Sequence, residues 1–121
     1  MHRSRLGREA EEVAARYLQS RGWAIVGTNV RSGRREVDIV ASKDGVLAFI
    51  EVKCRRGRRY GHPLEAITAA KRKEIARVAG AWLAEHRLPR GTTVRFDAVS
   101  VVWPPGEEPQ VHHLQDAWRM E

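Results

Sequence analysis

An Asp44-Gly45 pair lies between two apolar runs and predicts a tight β-hairpin. The first run reads as a strand over residues 35–41, and the second reads as a strand over residues 46–54. A tight turn pairs Lys43 with Val46, which fixes the partner of every residue before and after the turn. The hairpin is therefore the part of the sequence that most constrains the central sheet.

Two acidic residues meet in this hairpin, although both strands are otherwise apolar. Counting back from the turn places Asp38 directly across from Glu51, and a slip of two residues would make them diagonal neighbours. Alternation of side chains puts Glu36 and Asp38 on one face, with Val37 and Ile39 on the other. Because two facing carboxylates repel when buried, the pattern favours a hard divalent cation that takes oxygen ligands, such as Mg²⁺.

Lys53 follows Glu51 by two residues and shares its face of the strand. Its ammonium group can hold an attacking water or offset charge on a pentavalent phosphoryl transition state. The alternative is that both acids lie on a solvated face and are neutralised by nearby arginines. Residues 47–52 read as buried on both sides of the strand, and this favours the metal site over the solvated face.

The remaining elements surround the hairpin. The patterns predict helices over 6–21 and 68–86, and strands over 23–26, 92–103 and 111–114, with Gly22 as a C-cap and a basic turn at 31–34. The order α-β-β-β-α-β-β indicates an α/β fold in one domain spanning residues 1–121, with a central mixed sheet flanked by helices. Glu11 lies at the edge of the first helix's apolar arc, where it either reaches the acidic pair or binds an arginine.

The charge and the cysteine content narrow the classes of protein. The single cysteine, Cys54, forms no internal disulfide, so a reducing cytoplasm is expected. No apolar run approaches the roughly 18 residues that span a bilayer. A formal net charge of +7 indicates an anionic partner, either nucleic acid or a membrane surface, but charge alone fits an arginine-rich solvated surface about equally well.

The basic residues form two clusters at one end of the hairpin. One cluster precedes the Asp38 strand and the other follows the Glu51 strand; the residues are Arg31, Arg34, Arg35, Arg55, Arg56, Arg58 and Arg59. Such a rim binds a nucleic-acid backbone without reading its sequence. Tyr60, in the same loop, can stack on an unpaired base. A flexible solvated arginine loop is the alternative for any single residue, but it explains the two clusters together less well.

Several motifs together resemble a known family. The residues are Leu6-Gly7-Arg8, Glu11, 14–18, Glu36-Val37-Asp38, Phe49-Ile50-Glu51-Val52-Lys53 and Arg95-Phe96-Asp97. Their order resembles the YraN-like family of small bacterial proteins, which is similar in pattern to the PD-(D/E)XK nuclease superfamily and to archaeal Holliday-junction resolvases. Family members usually have glycine at the positions of Ala10 and Arg35.

The resemblance implies a restriction-endonuclease-like three-layer core and a metal-dependent active site. By motif position it implies metal ligands at Asp38, Glu51 and Glu11, a catalytic lysine at Lys53, an auxiliary acid at Glu36 and a phosphate contact at Lys71. The cofactor would be Mg²⁺ or Mn²⁺.

Three functions remain open from the sequence. The first is an endonuclease acting on structured or branched DNA, with DNA favoured over RNA and a homodimer as one arrangement. The second is a nucleic-acid-binding protein with an unused site, since this fold also serves binding without cleavage. The third is a basic interaction module. The acid-acid-lysine set favours the first function, and the arginine clusters disfavour the third.

Overall fold

A five-stranded mixed sheet lies between two helices in the computed structural model, which describes residues 4–57 and 63–120. The elements in chain order are α1 (Arg5–Ser20), β1 (Ala24–Ser32), β2 (Arg35–Lys43), β3 (Val46–Arg55), a 3-10 turn (Pro63–Ala66), α2 (Ala69–Glu85), β4 (Thr93–Val102) and β5 (Gln110–Trp118). The strands follow one another across the sheet, and only β3 and β4 are parallel. The predicted element order and the three-layer restriction-endonuclease-like core are confirmed.

The predicted hairpin forms with the predicted register. Lys43 pairs with Val46, and the ladder continues to the pair of Ile39 with Ile50. Asp44 and Gly45 both have positive φ angles, 48° and 78°, as a two-residue hairpin turn with the right-handed strand twist requires. The ladder ends at Ile39 and Ile50, one residue before Asp38 and Glu51 would pair.

Both faces of the sheet are covered, which explains why β3 is apolar on both sides. The face under α1 contains Ala10, Ala14, Leu18, Ile39, Ala41, Ala48, Ile50, Val99 and Val101. The face under α2 contains Val37, Val40, Leu47, Phe49, Ile75, Val78 and Ala79. Val37 therefore packs with Val40 and not with Ile39, so the predicted alternation along β2 is wrong. The change of face occurs around Asp38, where the pairing with β3 stops.

Two N-caps fix the starts of the helices that border the sheet. The Ser4 hydroxyl accepts a hydrogen bond from the Gly7 backbone N–H at 3.0 Å, so α1 begins here. The Thr68 hydroxyl accepts one from the Lys71 N–H at 3.1 Å, which places Lys71 in the first turn of α2. Gly22, with a φ of 92°, follows the C-terminus of α1 as predicted.

Two strands are longer than the apolar pattern predicts. β1 runs on to Ser32, and β5 runs on to Trp118. The buried Asp97 carboxylate binds two residues of β5 and so stabilises the longer strand. Its Oδ1 accepts a hydrogen bond from the Asp116 backbone N–H at 2.9 Å, and its Oδ2 lies 2.7 Å from the His113 Nε2. In the part of the chain that the structure describes, no helix has the length and apolarity to cross a membrane.

Candidate metal and nucleic-acid site

Asp38 lies where β2 and β3 separate, and its side chain replaces the missing backbone pairing. The Asp38 Oδ2 accepts a hydrogen bond from the Val52 backbone N–H at 2.8 Å. The sequence predicts Asp38 and Glu51 as direct or diagonal neighbours in the ladder. In the structure the ladder ends one pair earlier, and the Asp38 carboxylate takes the place of a strand carbonyl as acceptor. The two acids nevertheless lie together at this end of the hairpin, since they contact each other.

Glu51 is an acid buried in the middle of the sheet, with a relative exposure of only 2%. Burial raises its pKa to about 8, and a hydrogen bond and the negative charge of Asp38 act in the same direction. Two ammonium groups oppose the rise. The Lys71 Nζ lies 3.7 Å and the Lys53 Nζ 3.9 Å from the Glu51 Oε2. A buried acid with a strongly shifted pKa and specific charged partners is typical of functional sites.

A cavity of about 190 Å³ opens onto these groups. Its walls include the predicted site residues and a lysine from α2; the lining residues are Gly7, Ala10, Glu11, Asp38, Glu51, Val52, Lys53, Cys54 and Lys71. Gly7 and Ala10 are small residues of α1, so the helix can pass over the acids without filling the space. The structure therefore brings Asp38, Glu51 and Lys53 to one cavity, and Glu11, whose position the sequence leaves open, lies on the wall of the same cavity.

Lys71 has a more central place than its predicted role as a phosphate contact indicates. Besides the Glu51 carboxylate, its ammonium group contacts the Glu74 carboxylate at 3.7 Å. It lines both the cavity at Glu51 and a neighbouring, larger one. Lys71 is therefore the link between the acidic pair and the adjoining surface.

The larger cavity, of about 490 Å³, adjoins the first and shares Asp38 and Lys71 with it. Its other lining residues are Arg31, Gly33, Arg34, Glu36 and Glu74. The predicted basic cluster before the Asp38 strand therefore supplies Arg31 and Arg34 to this wall. Arg31 also contacts the Glu36 carboxylate at 3.2 Å.

The other predicted nucleic-acid contacts are less closely tied to the site. Arg35 and Arg55 lie at the same end of the hairpin, as predicted, but neither lines these two cavities in the described part of the chain. Arg56 donates to the Trp103 carbonyl at 3.3 Å. The predictions for Arg58, Arg59 and Tyr60 fall outside the described residues.

Asn29 is a site residue that the sequence analysis missed. Its side-chain amide Nδ2 lies 2.6 Å from the Glu11 Oε1 and 3.1 Å from the Glu36 Oε1, so it donates to both acids. Its φ of 50° is left-handed, which asparagine tolerates better than most residues. Because the predicted strand ends at residue 26 and the basic turn begins at residue 31, Asn29 falls between predicted elements and the sequence gives no signal for it.

The carboxylate oxygens of the site suit a cation that needs few protein ligands. Among residues 4–57 and 63–120, no group of three or more His, Cys, Asp or Glu side chains is arranged to hold a metal ion. Mg²⁺ usually binds through one or two carboxylates, with waters and substrate phosphates completing its shell. The Asp38–Glu51 pair fits that requirement, whereas a fully caged ion such as structural Zn²⁺ would need a closed set of ligands.

The chain matches the model of the uncharacterised protein family UPF0102 over residues 10–101. It is 44% identical over 112 residues to a UPF0102 protein of Clavibacter michiganensis, a match that covers 93% of this chain and 94% of the relative. It is 46% identical over 110 residues to a UPF0102 protein of Nocardia farcinica, covering 91% and 86%. A UPF0102 protein of Symbiobacterium thermophilum is 44% identical over 115 residues, covering 94% and 96%. These matches confirm the resemblance drawn from the motifs.

Proposed function

This chain belongs to the uncharacterised protein family UPF0102, and we propose that it is a divalent-metal-dependent endonuclease. Its substrate is nucleic acid, with structured or branched DNA as the expected form. The observation that carries the proposal is the buried Glu51 carboxylate, which meets Asp38 and two lysine ammonium groups in one open cavity. Burying an acidic pair of this kind in a sheet lowers the stability of the fold. A function that needs the pair explains why the chain has it.

Asp38 and Glu51 would hold Mg²⁺ or Mn²⁺, and backbone geometry adds a further oxygen. The N–H and C=O of one strand residue point to the same side of the strand. Since the Val52 N–H faces the Asp38 carboxylate, its carbonyl oxygen faces that side as well. Glu11, on the wall of the same cavity, would hold one of the cation's bound waters, because the described residues contain no set of three acids arranged around one ion. When bound, the cation would lower the pKa of a coordinated water and polarise a phosphoryl oxygen.

We assign to Lys53 the role of stabilising the transition state. Its ammonium group lies 3.9 Å from the Glu51 Oε2, and its side chain is 34% exposed, so it can reach a substrate in the cavity. In this position it can orient the attacking water through a hydrogen bond and offset negative charge that develops on the phosphoryl oxygens. Lys71 contributes a second positive charge from the first turn of α2, where it can hold the phosphate next to the reacting one.

The larger cavity supplies a path for the nucleic-acid backbone. It adjoins the acidic pair, and Arg31 and Arg34 line it. Arginine contacts with phosphates position a substrate without reading its bases, and a net charge of +7 attracts a polyanion to the whole surface. The preference for branched DNA rests on the resemblance to Holliday-junction resolvases alone.

Cleavage of a substrate panel tests the proposal. Linear, flapped and four-way-junction DNA, and the matching RNAs, are incubated with the protein in Mg²⁺, Mn²⁺ or EDTA. We expect metal-dependent cleavage by the wild type and its loss in Asp38→Ala and Lys53→Ala. Arg119→Gln, which removes an exposed arginine of another surface, is the control and should cleave normally. Binding that survives both substitutions, without metal-dependent cleavage of any substrate by the wild type, would instead establish a non-catalytic nucleic-acid-binding protein.

A further inference from the structure

Asn29 joins two acids that lie on different walls of the site. One amide nitrogen carries two hydrogens, and the Asn29 Nδ2 has the Glu11 Oε1 at 2.6 Å and the Glu36 Oε1 at 3.1 Å. Glu11 lines the cavity that contains Glu51, and Glu36 lines the larger cavity beside it. The same amide group thus holds one carboxylate of each cavity, and Asp38 lines both cavities.

The backbone of Asn29 is shaped for this position. Its neighbours in β1 pair regularly with β2, Thr28 with Ile39 and Val30 with Val37. Asn29 therefore lies at the level of Asp38, and its φ of 50° departs from the strand conformation. Most residues strain at such an angle, whereas asparagine and glycine adopt it readily. The left-handed conformation directs an amide to the two acids at the level of the proposed metal site.

The two acids gain from a shared donor. Two carboxylates that approach one another repel, and a bridging N–H group offsets part of that repulsion while it restricts both side chains. Glu36 is restrained a second time, because its Oε2 contacts the Arg31 Nε at 3.2 Å. Glu11 comes from a different element, α1, so the amide also ties that helix to the sheet at the cavity.

We propose that Asn29 is a positioning residue for the metal site, acting through Glu11. The inference rests on the proposed function, since it has Glu11 hold a water of the cation's shell from the cavity wall. The two hydrogen bonds of the Asn29 amide go to Glu11 and Glu36 and not to the acidic pair. Its amide fixes the Glu11 carboxylate on the cavity wall before a cation arrives. Outer partners of a metal site typically contribute on the order of 10- to 100-fold to metal affinity.

The test measures Mn²⁺ affinity by isothermal titration calorimetry, without nucleic acid, so that binding is separated from cleavage. Asn29→Gly keeps the left-handed backbone and removes the amide. Asp116→Gly is the matched control, because Asp116 is also a left-handed residue of a strand, with a φ of 51°, and lies outside the site. We expect Asn29→Gly to weaken Mn²⁺ binding by about 10- to 100-fold and Asp116→Gly to leave it unchanged. Asn29→Asp, which tolerates the same backbone angle and cannot donate an N–H to Glu11, repeats the measurement if the glycine variant fails to fold.

A double-mutant cycle with Glu11→Gln separates positioning from a general structural effect. If Asn29 acts through Glu11, the variant that carries both substitutions binds Mn²⁺ no more weakly than Glu11→Gln alone. Equal losses in both backgrounds, or wild-type affinity in Asn29→Gly, would overturn the inference while leaving the proposed function intact. Failure of the wild type to bind any Mn²⁺ would overturn both.

Discussion

Replacing Glu51 with glutamine should stabilise the metal-free protein at neutral pH and remove its response to Mg²⁺. Burial, followed by the hydrogen bond and charge of Asp38, raises the pKa of Glu51 from its ordinary 4.5 to about 8. Between pH 4.5 and about 8, Glu51 is therefore protonated in the folded protein and loses this proton when the chain unfolds. A glutamine side chain has nearly the same shape, can donate to Asp38, and has no proton to release on unfolding.

The size of the effect follows from proton linkage. Because the unfolded chain binds fewer protons in this window, the free energy of unfolding of the wild type falls as pH rises from 4.5 to about 8. The slope is about 1.4 kcal/mol per pH unit, so the loss is roughly 3 kcal/mol at pH 7. We expect Glu51→Gln to be more stable than the wild type by up to that amount at pH 7, and by less than about 1 kcal/mol near pH 5.

Urea denaturation in EDTA across this pH range measures the difference. The control is Glu74→Gln, because Glu74 contacts the same Lys71 but its side chain is 46% exposed; no comparable gain with pH is expected there. A hundredfold excess of Mg²⁺ over its Kd should then stabilise the wild type by about 2.7 kcal/mol and Glu51→Gln hardly at all. A difference between variant and wild type that does not change with pH, or a variant that keeps its response to Mg²⁺, would refute the reasoning.

Three further predictions concern the buried acid of β4 and the basic wall of the larger cavity. Asp97 is fully buried and hydrogen-bonded, so Asp97→Ala should lower the free energy of unfolding by about 3–5 kcal/mol; a loss below about 1 kcal/mol in urea denaturation would contradict this. Although burial alone raises the pKa of Asp97, hydrogen bonds from His113 and Arg95 hold it below its ordinary 3.8. The stability that it adds is therefore present above pH 3.8 and lost as pH falls through the folded value, and Asp97→Asn should flatten acid denaturation. Arg34→Gln should reduce the salt dependence of DNA binding, in fluorescence anisotropy, by about 0.7–0.9 in the logarithmic slope, whereas an unchanged slope, or an equal change in Arg119→Gln, would exclude a specific phosphate contact.

The hairpin and the acidic pair could be predicted because local rules determine them. The Asp44-Gly45 turn fixes Lys43 opposite Val46, and counting from it brings Asp38 near Glu51. The apolar run of β3 predicts burial on both faces, and two helices do cover the sheet. The same burial is what makes an acid at position 51 unusual.

Long-range polar contacts account for what the sequence did not predict. The pairing of β2 with β3 ends before Asp38 because the carboxylate binds the Val52 N–H, and strand alternation contains no sign of that. The place of Lys71 depends on the crossover that brings α2 back over the sheet. Asn29 reaches Glu11, 18 positions away in the chain, so no spacing rule connects the two.

Anomalous scattering from Mn²⁺ in crystals grown above pH 8 would show directly whether this acidic pair is a metal site. We predict a peak between Asp38 and Glu51, with an oxygen of each carboxylate at about 2.0–2.4 Å, the range for oxygen ligands of hard divalent cations. If crystals soaked in saturating Mn²⁺ show no peak there, or show peaks only at other residues, the result would contradict a metal site at Asp38 and Glu51.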